Sequence, residues 1–83
     1  MNITYSKPIA GQPIEIDVKV GNQWALLVVL LDGEKLFKKR FTCPDPPCHE
    51  RVVFELKPDS KGKQLLLEGN DPDGPHTWKS IVE

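Results

Sequence analysis

The chain has no apolar run long enough to cross a bilayer as a helix. Its longest such run, Trp24 to Leu31, has eight residues, whereas a spanning helix needs about twenty. The first residues, Met1 to Pro8, carry neither the charged start nor the apolar stretch of a signal peptide. We therefore expect no membrane insertion and no signal peptide in this stretch, which leaves open a secreted parent chain that has been trimmed.

The sequence also lacks an excess of charge of either sign. Eleven Lys and Arg stand against twelve Asp and Glu, and the formal net charge is -1. The basic residues are scattered, apart from the run Lys38-Lys39-Arg40. Because a nucleic-acid-binding surface gathers many cations on one face, nucleic acid is not an expected partner. The basic run is interpreted as the solvated edge of a strand.

No arrangement of residues typical of catalysis is present. Neither His49 nor His76 lies in a recognisable turn that bears a nucleophile. The loop aspartates Asp45, Asp71 and Asp73 do not match the register of a calcium-binding hand, and would bind calcium only weakly if their loops converged. The sequence therefore predicts a protein that is not an enzyme and requires no cofactor.

What the sequence does contain is a series of short strand patterns separated by turn residues. Apolar and polar residues alternate from Ile14 to Val20, which is the period of a strand with one buried face. The run from Trp24 to Leu31 favours a central strand, and Asp32-Gly33 after it predicts a hairpin. Further strands are predicted over Asn2 to Tyr5, Glu34 to Phe41, Val52 to Lys57, Leu65 to Leu67 and His76 to Val82.

Seven short strands at this spacing predict the fold. Turn signals at intervals of about 8–12 residues are typical of a β-sandwich. Most of the eight prolines fall in the predicted loops, as expected because proline cannot donate to the ladder of a central strand. We predict an all-β, immunoglobulin-like antiparallel β-sandwich of about seven strands, forming a single domain over residues 1–83, with Trp24 and Trp78 in its core.

A family resemblance is carried by four segments, Lys7-Pro8-Ile9-Ala10-Gly11-Gln12-Pro13-Ile14-Glu15-Ile16-Asp17-Val18, Val28-Val29-Leu30-Leu31-Asp32-Gly33-Glu34, Val52-Val53-Phe54 and Gly62-Lys63-Gln64-Leu65. Together they resemble prokaryotic extracellular immunoglobulin-like modules, above all the bacterial cell-adhesion-related domain (CARDB). The chain departs from that family in carrying Cys43 and Cys48 and in lacking an acidic, asparagine-rich end. The resemblance implies an extracellular, cell-surface or periplasmic location and a role in adhesion or spacing.

The two cysteines leave three possibilities open. Cys43 and Cys48 flank Pro44-Asp45-Pro46-Pro47, and a disulfide closing this loop would stabilise the fold by about 2 kcal/mol. It would also imply an oxidising compartment. Two free thiols are the second possibility. The third is a metal site, since Cys43, Cys48, His49 and His76 are ligand types for zinc or copper. The disulfide is the favoured prediction, because the two cysteines are spaced at the loose limit for zinc.

The function predicted from these features is that of a noncatalytic binding or scaffolding module with an adhesion or spacer role. Its expected partner is a protein or carbohydrate surface, with neighbouring domains of a longer chain as further partners. The candidate contact region is the loop from Thr42 to Glu50, because a stiffened loop loses less entropy on binding. Two alternatives are a small metal-handling protein and an inhibitor that presents the proline-rich loop to an enzyme. The candidate binding residues are Pro44, Asp45, Pro46, Pro47 and His49.

Overall fold

The computed structural model describes all residues from Met1 to Glu83 and consists of seven β-strands with one short 3-10 turn at Pro58–Ser60. The alternation and turn signals of the sequence therefore translate into strands along most of the chain. The strands are β1 (Asn2–Tyr5), β2 (Pro13–Val20), β3 (Trp24–Leu31), β4 (Glu34–Thr42), β5 (Cys48–Glu55), β6 (Gln64–Asp71) and β7 (Gly74–Ile81).

The strands form two antiparallel sheets, which confirms the predicted all-β sandwich. The first sheet has three strands in the order β1-β2-β5, and the second has four strands in the order β4-β3-β6-β7. The connections from β2 to β3, from β4 to β5 and from β5 to β6 pass from one sheet to the other. Two layers of this kind bury the apolar face of each sheet against the other.

The core lies between the central strands of the two sheets. The even-numbered residues of β2 from Ile14 to Val20 and the odd-numbered residues of β3 from Ala25 to Leu31 are buried. Burial of an aliphatic side chain of this size stabilises a fold by about 1.5–3 kcal/mol. The molecule exposes 5101 Å², close to the roughly 5,000 Å² expected for a folded chain of this mass.

The hairpin between β3 and β4 forms where Asp32-Gly33 predicts it. Asp32 has a φ of 47° and Gly33 a φ of 85°, and a two-residue turn with positive φ at both positions matches the twist of the flanking strands. A register shift between Val29 and Leu30 then leaves Leu36 of β4 without a partner on β3. This is a β-bulge on an edge strand, a position where bulges discourage pairing with another chain.

Trp24 and Trp78 occupy different environments. Trp78 is partly buried and packs against the core, as predicted. Trp24 lies outside the core, so the prediction for this residue was wrong. The reason is the two-residue period of β3, which points Ala25 inward and Trp24 to the outer face of the four-stranded sheet. There the Arg40 guanidinium lies 5.0 Å from the centre of the Trp24 ring.

Candidate binding site at the disulfide-bonded end

Cys43 and Cys48 form a disulfide, with a Cα–Cα distance of 5.9 Å. The predicted disulfide is therefore present. Cys43 is buried and follows β4 directly, whereas Cys48 is half-buried and is the first residue of β5. Because β4 and β5 belong to different sheets, the bond joins the two layers of the sandwich at one end.

The loop between β4 and β5, which this disulfide closes, is shorter than the stretch from Thr42 to Glu50 that the sequence predicts. Thr42 belongs to β4 and residues 48–50 belong to β5, so only residues 43–47 lie between the strands. Residues 44–47 are all exposed, and the Pro46–Pro47 peptide bond is cis. Asp45 is the one charged side chain among them. The loop thus presents a proline surface with a single carboxylate.

At the same end, hydrogen bonds link the disulfide loop to the β2–β3 loop, and link the β2–β3 loop in turn to the β6–β7 turn. The Cys43 N–H donates a hydrogen bond to the carbonyl of Gln23 in the β2–β3 loop, at 2.8 Å. The Asn22 side-chain amide donates to the Asp73 carboxylate in the β6–β7 turn, at 3.1 Å. Three separate parts of the sequence therefore form one connected surface, which we call the loop end.

A buried carboxylate holds the β6–β7 turn in place. The Asp71 side chain is 1% exposed and accepts hydrogen bonds from the Met1 ammonium group, the Asp73 N–H at 2.9 Å and the His76 Nε2 at 3.3 Å. Burial by itself would raise the pKa of Asp71, but the hydrogen bonds and the Met1 charge outweigh it and lower the pKa. Through these three bonds one carboxylate joins Met1, the β6–β7 turn and β7.

The structure places the two histidines in different regions. His49 lies on the outer side of β5 opposite Lys19, whereas His76 lies beside Asp71 on β7. Both sulfurs of Cys43 and Cys48 are in the disulfide. No group of three or more His, Cys, Asp or Glu side chains lies together in a way that could hold a metal ion. Of the proposed metal ligands, only the two cysteines are brought together.

A shallow polar hollow on the outer face of the three-stranded sheet begins beside His49. It crosses β1, β2 and β5 and contains the pair Arg51–Asp17, whose Nε and Oδ1 atoms are 3.0 Å apart. The hydrogen bond to Asp17 raises the pKa of Arg51. The sequence did not reveal this hollow, since its residues come from three strands and form no motif. They include Asn2, Thr4, Asp17, Lys19, His49 and Arg51.

Comparison of the chain with family models, with curated proteins and with solved structures finds no match in any of the three. No helix of the structure is both long and apolar enough to cross a membrane.

Proposed function

We propose that this chain is a noncatalytic binding or spacer module of an extracellular, cell-surface or periplasmic protein, with an immunoglobulin-like fold. The observation that carries the proposal is the disulfide-closed loop, which is exposed and fixed at both ends to strands of different sheets. Its partner is a protein or carbohydrate surface that contacts the loop end.

The disulfide supports the proposed location. Structural disulfides persist in oxidising compartments and are rare in the cytosol. In this chain the bond includes Cys43, which has no exposed surface, so a reductant reaches one sulfur poorly. A small domain with few buried residues gains proportionally more from such a bond than a large domain does.

The geometry of the loop end supports the proposed mode of contact. Three loops share one surface, and they are linked by the hydrogen bonds of Cys43 and Asn22. Sandwich domains that bind through loops use loops grouped at one end of the two sheets. The prolines and the disulfide reduce the entropy that the loop from residue 43 to residue 47 loses on binding. The resemblance to CARDB modules agrees with an adhesive or spacing role.

The test compares binding by the oxidised protein and by a variant, called the loop variant, that is changed at Asp45 in the loop and at His49, which follows Cys48 in β5. The protein is screened on arrays of purified cell-surface polysaccharides and secreted proteins, and each partner found is measured with Asp45→Ala/His49→Ala. We expect at least one partner to bind the variant about tenfold more weakly, which is a loss of about 1.4 kcal/mol. The control is Asp59→Ala/Lys61→Ala, which changes exposed charges near the 3-10 turn.

The result that would contradict the proposal is an unchanged affinity of every partner for the loop variant. A second measurement addresses the compartment directly. Intact mass before and after reduction and alkylation, on protein purified from the native source with free thiols blocked at lysis, should show Cys43 and Cys48 oxidised. Free thiols with stoichiometric metal in elemental analysis would support the metal-handling alternative instead.

A further inference from the structure

The outer face of the four-stranded sheet is apolar along its middle. Residues of β3 that point away from the core are half-buried, and Leu66 of β6 lies beside Leu30 on the same face. In the other sheet, the outward positions of the central strand β2 are polar apart from Pro13. The apolar outer face is therefore specific to this sheet. We call it the β3 stripe, and it consists of Trp24, Leu26, Val28, Leu30 and Leu66.

The β3 stripe is bordered by positive charge. On β4, Arg40 lies opposite Leu26, Lys38 opposite Val28 and Lys35 opposite Leu30. On the other side, Lys79 of β7 lies opposite Leu66. The one acidic side chain on this face is Glu68, opposite Val28, so the face carries a net charge of about +3. The whole chain carries -1, so the rest of the molecule carries about -4 and the charge is distributed unevenly.

The shape of this face is concave next to the stripe. Leu26 and Val28 border a shallow depression whose other lining residues include Glu68, Asn70 and Thr77, so carboxylates of a partner would lie outside it, beside the cations of β4 and β7. From Trp24 to Leu30 the strand advances by about 20 Å, which equals the length of a helix of about 13 residues. A helix of that length laid along β3 would therefore contact the stripe from Trp24 to Leu30, with one of its side chains in the depression beside Leu26 and Val28.

We propose that this face docks an acidic amphipathic helix of a partner protein. Apolar side chains of the helix pack on the β3 stripe, and carboxylates beside them pair with Lys38, Arg40 and Lys79. A second copy of this chain is a poor occupant, because two faces of charge about +3 repel each other. The depression beside Leu26 and Val28 favours a protruding side chain over a flat bilayer, and a bilayer is one of the outcomes of the test below. This surface is separate from the loop end, so it does not depend on the proposed role of residues 43–47.

The test uses two synthetic helical peptides of about 18 residues with the same leucine face. One peptide carries Glu at the flanking positions, and the other carries Lys. Binding is followed by titration into isotope-labelled protein, with amide shifts and the Trp24 indole signal as readouts. We expect the Glu peptide to shift signals of β3, β4 and β6, and to bind at least about tenfold more tightly than the Lys peptide at low salt.

Charge reversal on β4 gives the sharper test. Lys38→Glu/Arg40→Glu should weaken the Glu peptide by about tenfold or more and make the Lys peptide the better ligand. The matched control Lys57→Glu/Lys61→Glu changes the net charge equally, away from this face, and should keep the preference for the Glu peptide. Leu26→Thr should weaken both peptides. Dispersion of the amide spectrum shows that each variant is folded.

Several outcomes would overturn the proposal. Equal binding of the two peptides, or signal shifts confined to other surfaces, would show that the face has no selectivity for acidic helices. Equal effects of the β4 variant and of its control would show that net charge alone governs binding. Binding to vesicles containing phosphatidylserine but to neither peptide would assign the face to lipid. Self-association through β3 without peptide binding would assign it to a second copy.

Discussion

Reduction of the Cys43–Cys48 disulfide should destabilise the protein by about 2 kcal/mol without unfolding it. The bond closes a loop of six residues, and the chain-entropy relation for a loop of this length gives about 2 kcal/mol. The strands at both ends of the loop keep their other partners, since Thr42 pairs with Trp24 and Cys48 pairs with Val20. The sheets should therefore remain intact in the reduced protein.

The assays are urea denaturation and thermal denaturation, each followed by circular dichroism, with and without a thiol-free reductant. For a domain of this size, 2 kcal/mol corresponds to a fall in Tm of about 8–16 °C. Cys43→Ala/Cys48→Ala is the control, because the reductant should not change its stability. This variant should be less stable than the reduced protein by about 1 kcal/mol, since replacing the buried Cys43 leaves a cavity.

Two outcomes would refute this reasoning. A change below about 0.5 kcal/mol on reduction would mean that the three prolines alone already restrict the unfolded loop, so that the bond adds no constraint. Complete unfolding on reduction would mean that the pairing of β4 and β5 with their neighbours is too weak to hold the layers together.

Three further predictions concern the side of the sandwich where β1 and β7 meet. Gly69→Ala should destabilise the protein by about 1–3 kcal/mol, because its Cβ would lie 3.1 Å from the Trp78 ring and overlap Met1. The control Gly21→Ala should be neutral, because its Cβ meets no atom within 4 Å. Equal urea midpoints of the two variants would contradict this prediction. In the variant Asp71→Asn, the free energy of unfolding should fall less steeply with decreasing pH than in the wild type. The ionised Asp71 carboxylate contributes its full stabilisation above the unfolded-state pKa of about 3.9. That stabilisation disappears as pH falls through the lower pKa of the folded state. Parallel acid denaturation curves of wild type and variant would disprove this prediction. Tyr5→Phe and Ser80→Ala should show a coupling energy of about 0.5–1.5 kcal/mol in a double-mutant cycle, because the two hydroxyl oxygens are 2.7 Å apart. A coupling energy of zero would contradict a stabilising hydrogen bond between them.

The strand positions were largely predictable from the sequence because the alternation of β2 and the turn at Asp32-Gly33 are local signals. The strand β3 was also predicted with its observed bounds. The ends of β5, β6 and β7 were less predictable. Gly74 and Pro75 suggested a longer turn, yet both lie in β7, an edge strand where proline leaves no interior ladder bond unmade.

The candidate site was only partly predictable. The disulfide follows from two cysteines in a short loop, but the partners of that loop depend on how the sheets stack. An aspartate two residues before another suggests the bond from Asp71 to the Asp73 N–H. Nothing local shows that Asp71 is buried, because Met1 comes from the other end of the chain. Trp24 is predicted in the core because a small sandwich needs large buried residues, and a continuous apolar run does not reveal which of its residues point outward.

The odd number of strands determines how the domain carries a mechanical load. Asn2 lies at the loop end, whereas Ile81 pairs with Gln64 at the opposite end of a molecule whose longest Cα dimension is 39 Å. A force applied between these residues therefore runs parallel to the strands. The ladder bonds of antiparallel pairs are perpendicular to the strands, so the bonds between β1 and β2 and between β6 and β7 are sheared together. A domain pulled in this direction resists extension until the bonds of a whole strand pair fail at once.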